Sequence, residues 1–162
     1  MSVDTLTPVD TARFTDAVRH HAAGVAVVTS LDLDGPVGMT VSTFASHSVE
    51  PPTVSCDLAV TAATLAAIRA ERRFVVHLLA SHQQELALRF AASGTDRFAG
   101  GGWRWQDGLP VLDDVLAVFT CRLLTEVEVG DHAIVLGTVT DVATDATRTP
   151  LVHQDRAFHR IG

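Results

Sequence analysis

Apolar and polar positions alternate most clearly in the C-terminal half of the chain. Across residues 117–129 one face reads Ala117, Phe119, Cys121, Leu123, Thr125, Val127 and Val129, while the other carries Arg122, Glu126 and Glu128. A period of two over that length predicts a long strand with one face toward a core and one toward water. Gly130-Asp131 then predicts a tight turn into a second long strand over residues 132–142. Upstream, residues 25–29 and 37–41 flank the turn cluster Asp32-Leu33-Asp34-Gly35-Pro36 and predict a hairpin. Pro51-Pro52 forces an extended entry into a strand at 53–58, and residues 74–79 read as a further strand.

Three stretches carry a helical period instead. Residues 11–21 open after Asp10 with Phe14 and Val18 four apart, and end before Gly24. Residues 62–70 place Leu65 and Ile68 three apart, and residues 82–92 place Leu86 and Phe90 four apart. Residues 93–110 predict a long loop containing Trp103 and Trp105, whose rings are expected on opposite faces. Those rings would cover a ligand, fill a subunit interface, or simply pack. Six or seven strands joined mostly by short connections fit an antiparallel β-barrel with peripheral helices. No GxGxxG follows a strand, so a Rossmann fold is excluded.

Composition narrows the chemistry. The 162 residues are 47% apolar and 19% charged, which predicts one globular domain over 1–162, with residues 1–10 expected to be flexible. A net charge of −7 argues against nucleic acid or an anionic membrane as the main partner. All twelve basic residues are arginine, and the chain has no lysine, tyrosine or asparagine. That excludes Schiff-base catalysis, a phosphate-loop lysine and a phenolic general acid. Cys56 and Cys121 form no CxxC pair, so neither a disulfide framework nor a zinc knuckle is indicated. Eight histidines occur without an HExxH spacing, and no metal site is expected. No secretory signal and no apolar run near the roughly 20 residues of a membrane helix is present, so the expected setting is soluble and cytoplasmic.

Several motifs, in order, resemble the short-chain flavin reductases. They are Gly24-Val25-Ala26-Val27-Val28-Thr29, Gly38-Met39-Thr40-Val41-Ser42-Thr43-Phe44 and Ser46-His47-Ser48-Val49-Glu50-Pro51-Pro52. Phe74-Val75-Val76, Arg89-Phe90, Asp96-Arg97-Phe98, Gly108-Leu109-Pro110-Val111-Leu112 and Gly130-Asp131-His132 follow, and the terminal strand ends at His159-Arg160-Ile161-Gly162. The likeness runs from about Phe14 to Gly162. It implies a mainly β, Greek-key split β-barrel of the FMN-binding type, working as a homodimer. It further implies reduction of FMN or FAD by NADH or NADPH, with the reduced flavin passed to a separate monooxygenase. Hydride transfer between two cofactors needs no reactive side chain, so a chain without lysine or tyrosine suffices. Three rivals stand beside this reading. They are a flavoprotein with tightly bound flavin acting on an organic substrate, a non-catalytic flavin-binding subunit of an oxygenase complex, and a descendant that has lost flavin.

Individual residues carry a functional and a structural reading. Thr40, Ser42 and Phe44 share one strand face, so the two hydroxyls could contact flavin while Phe44 backs the site; otherwise they are ordinary strand residues. The resemblance adds their neighbours Met39 and Val41. Thr61 and Thr64 are expected at the N-cap and third position of the second helix, to hold a flavin phosphate or merely cap. Arg89, with Phe90 beside it, is expected to supply the missing positive charge there. The resemblance brings the backbone of Ser55, Cys56 and Asp57 near the flavin. It makes His132, after Asp131, the leading candidate for orienting NAD(P)H, against a plain turn role. His153 and His159 are weaker candidates for the same mouth. His77 stands where the family commonly has asparagine, and is expected to be a hydrogen-bonded core residue.

Overall fold

In the computed structural model, which describes residues 6–162, the Asp10 carboxylate accepts the Arg13 N–H at 3.2 Å and caps α1, Thr11–Val18. Residues 1–5 of the expected flexible start lie outside the described residues. The helix is shorter than its sequence pattern and buries none of its side chains, so no packing extends it to residue 21. The chain continues through β1 (Ala23–Gly24), β2 (Ala26–Asp32), β3 (Gly35–Val41), β4 (Ala45–Val49) and β5 (Pro52–Ala59). Then come α2 (Ala63–Glu71), β6 (Arg73–Leu78), α3 (Gln84–Ala91), β7 (Trp103–Gln106) and β8 (Leu109–Leu112). β9 (Ala117–Val129), β10 (His132–Thr144), β11 (Leu151–Gln154) and β12 (Ala157–Arg160) complete it.

Seven strands form one antiparallel sheet in the order β3-β2-β6-β9-β10-β5-β4. Its two edges, β3 and β4, are consecutive in the chain, and the gap between them is the split of the barrel. Inside the barrel lie Ala26, Val28, Val54, Cys56, Leu58, Phe74, Val76, Cys121, Leu123 and Val135, with Leu65 and Ile68 of α2 closing one end. Gly137 is required where β10 passes Phe74, because a Cβ there would stand 2.5 Å from the Phe74 ring. A second apolar layer, including Val27, Leu79, Phe90, Phe98, Leu112 and Leu151, lies under α3 and the C-terminal strands. Both cysteines are free and buried, and burial pushes the Cys121 thiol up to about 12 and the Cys56 thiol higher still. Neither is a nucleophile at neutral pH.

Several expectations need correction. The stretch 93–110 is not a plain loop: β7 and β8 pair around Asp107-Gly108, both at positive φ. Within β7 Trp103 and Trp105 share a face, since residues two apart in a strand project the same way. Their rings meet edge to face at 5.1 Å. The second helix is capped by Ala62, without a side-chain bond, so Thr61 and Thr64 fall one place earlier than predicted. β4 was not foreseen at all. On β9 the apolar face is covered only as far as Leu123, and Val127 and Val129 are exposed.

The β7–β8 hairpin lies against the outer face of the sheet and is fastened there by buried side chains. Thr29 Oγ1 donates to Pro110 O at 2.7 Å, and Gln83 Nε2 donates to Asp113 O at 3.0 Å. His77, fully buried on β6, donates from Nδ1 to Val27 O at 3.0 Å and accepts the Leu112 N–H on Nε2 at 3.1 Å. A neutral imidazole has one donor and one acceptor, and both are engaged. Burial, assisted by Arg104 and opposed by the Val27 bond, lowers the His77 pKa to about 4. This bears out the core role expected for His77.

The unfolded chain therefore binds more protons than the folded one between pH 6.5 and about 4. The contribution of neutral His77 is complete above pH 6.5 and is lost as pH falls through that window. The slope is at most about 1.4 kcal/mol per pH unit, or about 3 kcal/mol by pH 4. Urea titrations across this range should show that slope, and His77→Asn should flatten it. An identical pH dependence in both proteins would refute the assignment.

Candidate functional site

β3 organises the candidate residues, because it is an edge strand with space on both sides. Gly38 approaches β2 so closely that an added Cβ would meet Phe90, Thr29 and the Val28 carbonyl, each at 3.0 Å. Arg97 then reaches the outer edge, its Nη1 donating to Gly38 O at 2.6 Å while Nε and Nη2 donate to Ala92 O at 3.0 and 2.8 Å. Two residues on, Thr40 Oγ1 donates to Ala87 O of α3 at 2.6 Å. The Arg97 bond pairs one carbonyl of an edge that would otherwise leave it open, and the Thr40 bond ties that edge to α3.

On one side of β3 a cavity of about 420 Å³ is lined by Gly38, Met39, Thr61, Thr64, Asp96 and Arg97, among others. The Arg97 guanidinium keeps two N–H groups beyond its three backbone bonds, in a cavity that Thr61 and the buried Thr64 also line. That is the donor chemistry a phosphate requires. On the other side a cavity of about 310 Å³ is lined by Thr40, Val41, Ser42, Leu88, His153 and Arg156. Its His153 ring stands edge to face with Phe158 at 5.5 Å. The pairing of small hydroxyls with an apolar wall is suited to the polar edge and flat face of a ring system.

A third group lies around β5 and the β9–β10 turn. Thr43 Oγ1 accepts the Asp57 N–H at 2.8 Å, tying the β3–β4 connection to β5 across the split. Ser55 is buried, its hydroxyl 2.6 Å from His47 Nε2. Phe44 packs against Phe119 with ring centroids 5.2 Å apart. His132 pairs with Ala59 in the ladder, and its Nδ1 is 2.8 Å from Asp131 Oδ1. That bond holds the exposed Asp131 carboxyl below the usual carboxylate range. No set of three or more metal-ligating side chains occurs among the described residues.

Two sequence candidates are placed away from these spaces. The side chain of Phe90 is fully buried in the core, as is that of Cys56, whose expected contact was through backbone alone. Arg89 projects from α3 into a separate cavity that contains neither Thr61 nor Thr64. The cation beside those threonines is Arg97, which sequence reasoning noted only as part of a motif. Arg156 was also missed. It lies in the tight turn between β11 and β12 at φ +62°, and no periodicity marks it.

Comparison with known proteins covers the whole of this architecture. A family model described as a flavin reductase like domain matches residues 18–162. The chain is similar to an NADH:FMN oxidoreductase of Rhodococcus erythropolis, 40% identical over 150 residues, spanning 89% of this chain and 78% of the relative. It is similar to the reductase component of a Rhodococcus opacus 4-nitrophenol 4-monooxygenase/4-nitrocatechol 2-monooxygenase, 36% identical over 158 residues, covering 98% and 85% of the two chains. Among solved structures, a Streptomyces globisporus NADH:FAD oxidoreductase in complex with NAD and FAD fragments superposes with a TM-score of 0.90. It is 27% identical and covers 99% of this chain and 98% of that one.

The lock between β3 and α3 is measurable by itself. Thr40→Val should lower stability by about 0.5–1.5 kcal/mol through loss of the bond to Ala87 O. The expected reading is a lower urea midpoint with an unchanged slope. An unshifted midpoint would mean that the hydroxyl does not hold the edge.

Proposed function

The chain belongs to the flavin reductase-like family, and from that premise we propose that it catalyses NAD(P)H-dependent reduction of FMN or FAD and supplies the product to a separate monooxygenase. The observation that carries this reading is similarity over nearly the full chain to NADH:flavin oxidoreductases, joined to two cavities flanking one edge strand. Flavin and nicotinamide are both substrates in this reading. Together they supply the chemistry, a hydride passing from the nicotinamide ring carbon to the flavin ring nitrogen.

The protein's work is then binding geometry. Arg97, Thr61 and Thr64 grip the flavin phosphate. Met39 to Ser42, with the backbone of Ser55 to Asp57, border the ring, and Phe44 backs it. Thr40 acts mainly through its hold on α3, since its proton is already donated to Ala87 O. Its oxygen still accepts. His132 orients the nicotinamide, with the Asp131 bond fixing the imidazole plane, and His153 lines the mouth. Stacking the two rings and excluding water supply the rate advantage, as expected for a site without a nucleophile or a general acid. The arginines at the site offset an overall charge of −7 against two anionic substrates.

We also infer a homodimer. Val127 and Val129 are more than half exposed on one face near the tip of the long β9–β10 hairpin, a position better suited to a partner than to water. The ready supply of NAD(P)H favours action in the cytoplasm. No described helix is long and apolar enough to cross a membrane.

Three measurements test the reading. Oxidation of NADH or NADPH, followed at the nicotinamide absorbance band, should require added FMN or FAD. No turnover and no binding of either flavin would overturn the proposal, while colour that survives dialysis would favour a resident flavin. Arg97→Gln should weaken FMN binding about tenfold or more and riboflavin binding much less, because riboflavin lacks the phosphate and senses only the loss of the bonds to Gly38 O and Ala92 O. An equal loss for both ligands would make Arg97 purely structural. His132→Ala should raise the KM for NADH more than the Kd for flavin, and equal changes would assign it to the turn alone.

A further inference from the structure

Half of the twelve arginines are committed to the fold. Arg19, Arg69, Arg73, Arg104 and Arg148 face carboxylates, and Arg97 spends three N–H groups on backbone carbonyls. Of the other six, Arg156 is the one that lines a cavity beside β3. That cavity, of about 310 Å³, sets Arg156, Ser42 and His153 against an apolar wall that includes Leu88 and Phe158, and no carboxylate lines it. Among the described residues the exposed Arg156 guanidinium has neither an ion pair nor a hydrogen bond.

The backbone under Arg156 favours a different residue. Gln154 pairs with Ala157, so Asp155 and Arg156 form a two-residue hairpin turn, at φ +50° and +62°. Such turns need positive φ at both places. Aspartate tolerates the first, and the second is the place that glycine fills without strain. The turn is also fixed in direction. The Asp155 N–H donates to Arg19 O at 2.7 Å, Asp155 Oδ1 lies 3.1 Å from Arg19 Nε, and Gln154 Nε2 donates to His20 O at 3.1 Å. Arg19 thus occupies the Asp155 carboxylate, and the neighbouring guanidinium is left for an anion from outside the chain. A cation held at a glycine position, on an anchored base and with no internal partner, has its use in binding.

We propose that Arg156 binds a phosphate of the nicotinamide dinucleotide and is the residue that holds this second substrate by its charge. The assignment rests on the reductase reading, in which Arg97 takes the flavin phosphate and the dinucleotide is the other anion. The planar fork of a guanidinium fits two phosphate oxygens. The dinucleotide offers that pattern at its pyrophosphate, common to NADH and NADPH, and at the ribose 2′-phosphate that only NADPH carries. The Ser42 hydroxyl adds a neutral hydrogen-bonding group to the same wall. Because Arg156 is exposed, the contact weakens as ionic strength rises.

The test titrates the full-length protein with NAD⁺ and, separately, with NADP⁺ by calorimetry in excess FMN, where no turnover occurs. Arg156→Gly removes the guanidinium and suits the turn, so it should raise the urea midpoint while weakening dinucleotide binding about tenfold or more. A loss confined to NADP⁺ identifies the 2′-phosphate, and an equal loss for both identifies the pyrophosphate. Arg156→Lys should recover part of the affinity. Unchanged affinity for both dinucleotides in Arg156→Gly would overturn the assignment, as would weaker binding accompanied by a lower midpoint, which would make the side chain structural. NADH oxidation by the wild-type protein with added FMN is measured alongside. Turnover with Arg156-independent binding overturns this inference and leaves the reductase reading standing; Arg156-dependent binding without turnover does the reverse.

Discussion

A two-stranded hairpin pressed against a barrel wall buries backbone that no ladder can reach, and this molecule is arranged around solving that problem. All four residues of β8 are buried, so the groups facing away from β7 must find partners on the wall. Thr29, His77 and Gln83 provide them from three different elements, bonding Pro110 O, Leu112 N and Asp113 O. Leaving one such buried group unpaired costs about 1–3 kcal/mol, a large fraction of a small domain's stability. The polar residues inside this layer are therefore the fasteners of the hairpin. They also settle the position of everything continuous with it, including the glycine loop before β7 and the helix α3 that Gln83 precedes.

From that anchored layer the edge strand β3 receives its cover. Phe90 leaves room only for a glycine at position 38, Arg97 caps the Gly38 carbonyl, and Thr40 ties the strand to α3. The same contacts that protect an edge thus shape the spaces beside it. A residue such as Arg97 serves both purposes because a guanidinium has more donors than the backbone needs. The outcome is a site made of side chains fixed by structural bonds, which suits chemistry that depends on holding two substrates in register.

Much of this was legible in the sequence. The long β9–β10 hairpin announced itself by alternation, and the paired positions of Thr40 and Ser42 followed from the same period. α2 was found from Leu65 and Ile68, both of which are fully buried. β4 was not legible, since Ala45–Val49 is almost wholly exposed and carries no apolar period. β8 was hidden for the opposite reason: a strand buried on both sides has no alternation to detect, and its Asp107-Gly108 turn lay among other glycines. Arg89 lines a different cavity from Thr61 and Thr64; sequence gives its place on a helix but not which side of that helix meets which wall. Arg97 was undervalued because its role arises from contacts with Gly38 and Ala92 that only the folded chain creates.

The split leaves β4 as the other open margin of the sheet, with Val49 about 90% exposed. Its ladder with β5 slips between Ser46 and Ser48, and the intervening His47 turns its imidazole to Ser55 at 2.6 Å. A strand interrupted in this way is a poor template, because an incoming chain cannot match its donors and acceptors past the irregularity. The irregularity at His47 thus limits how far a further strand could pair along this margin of the barrel.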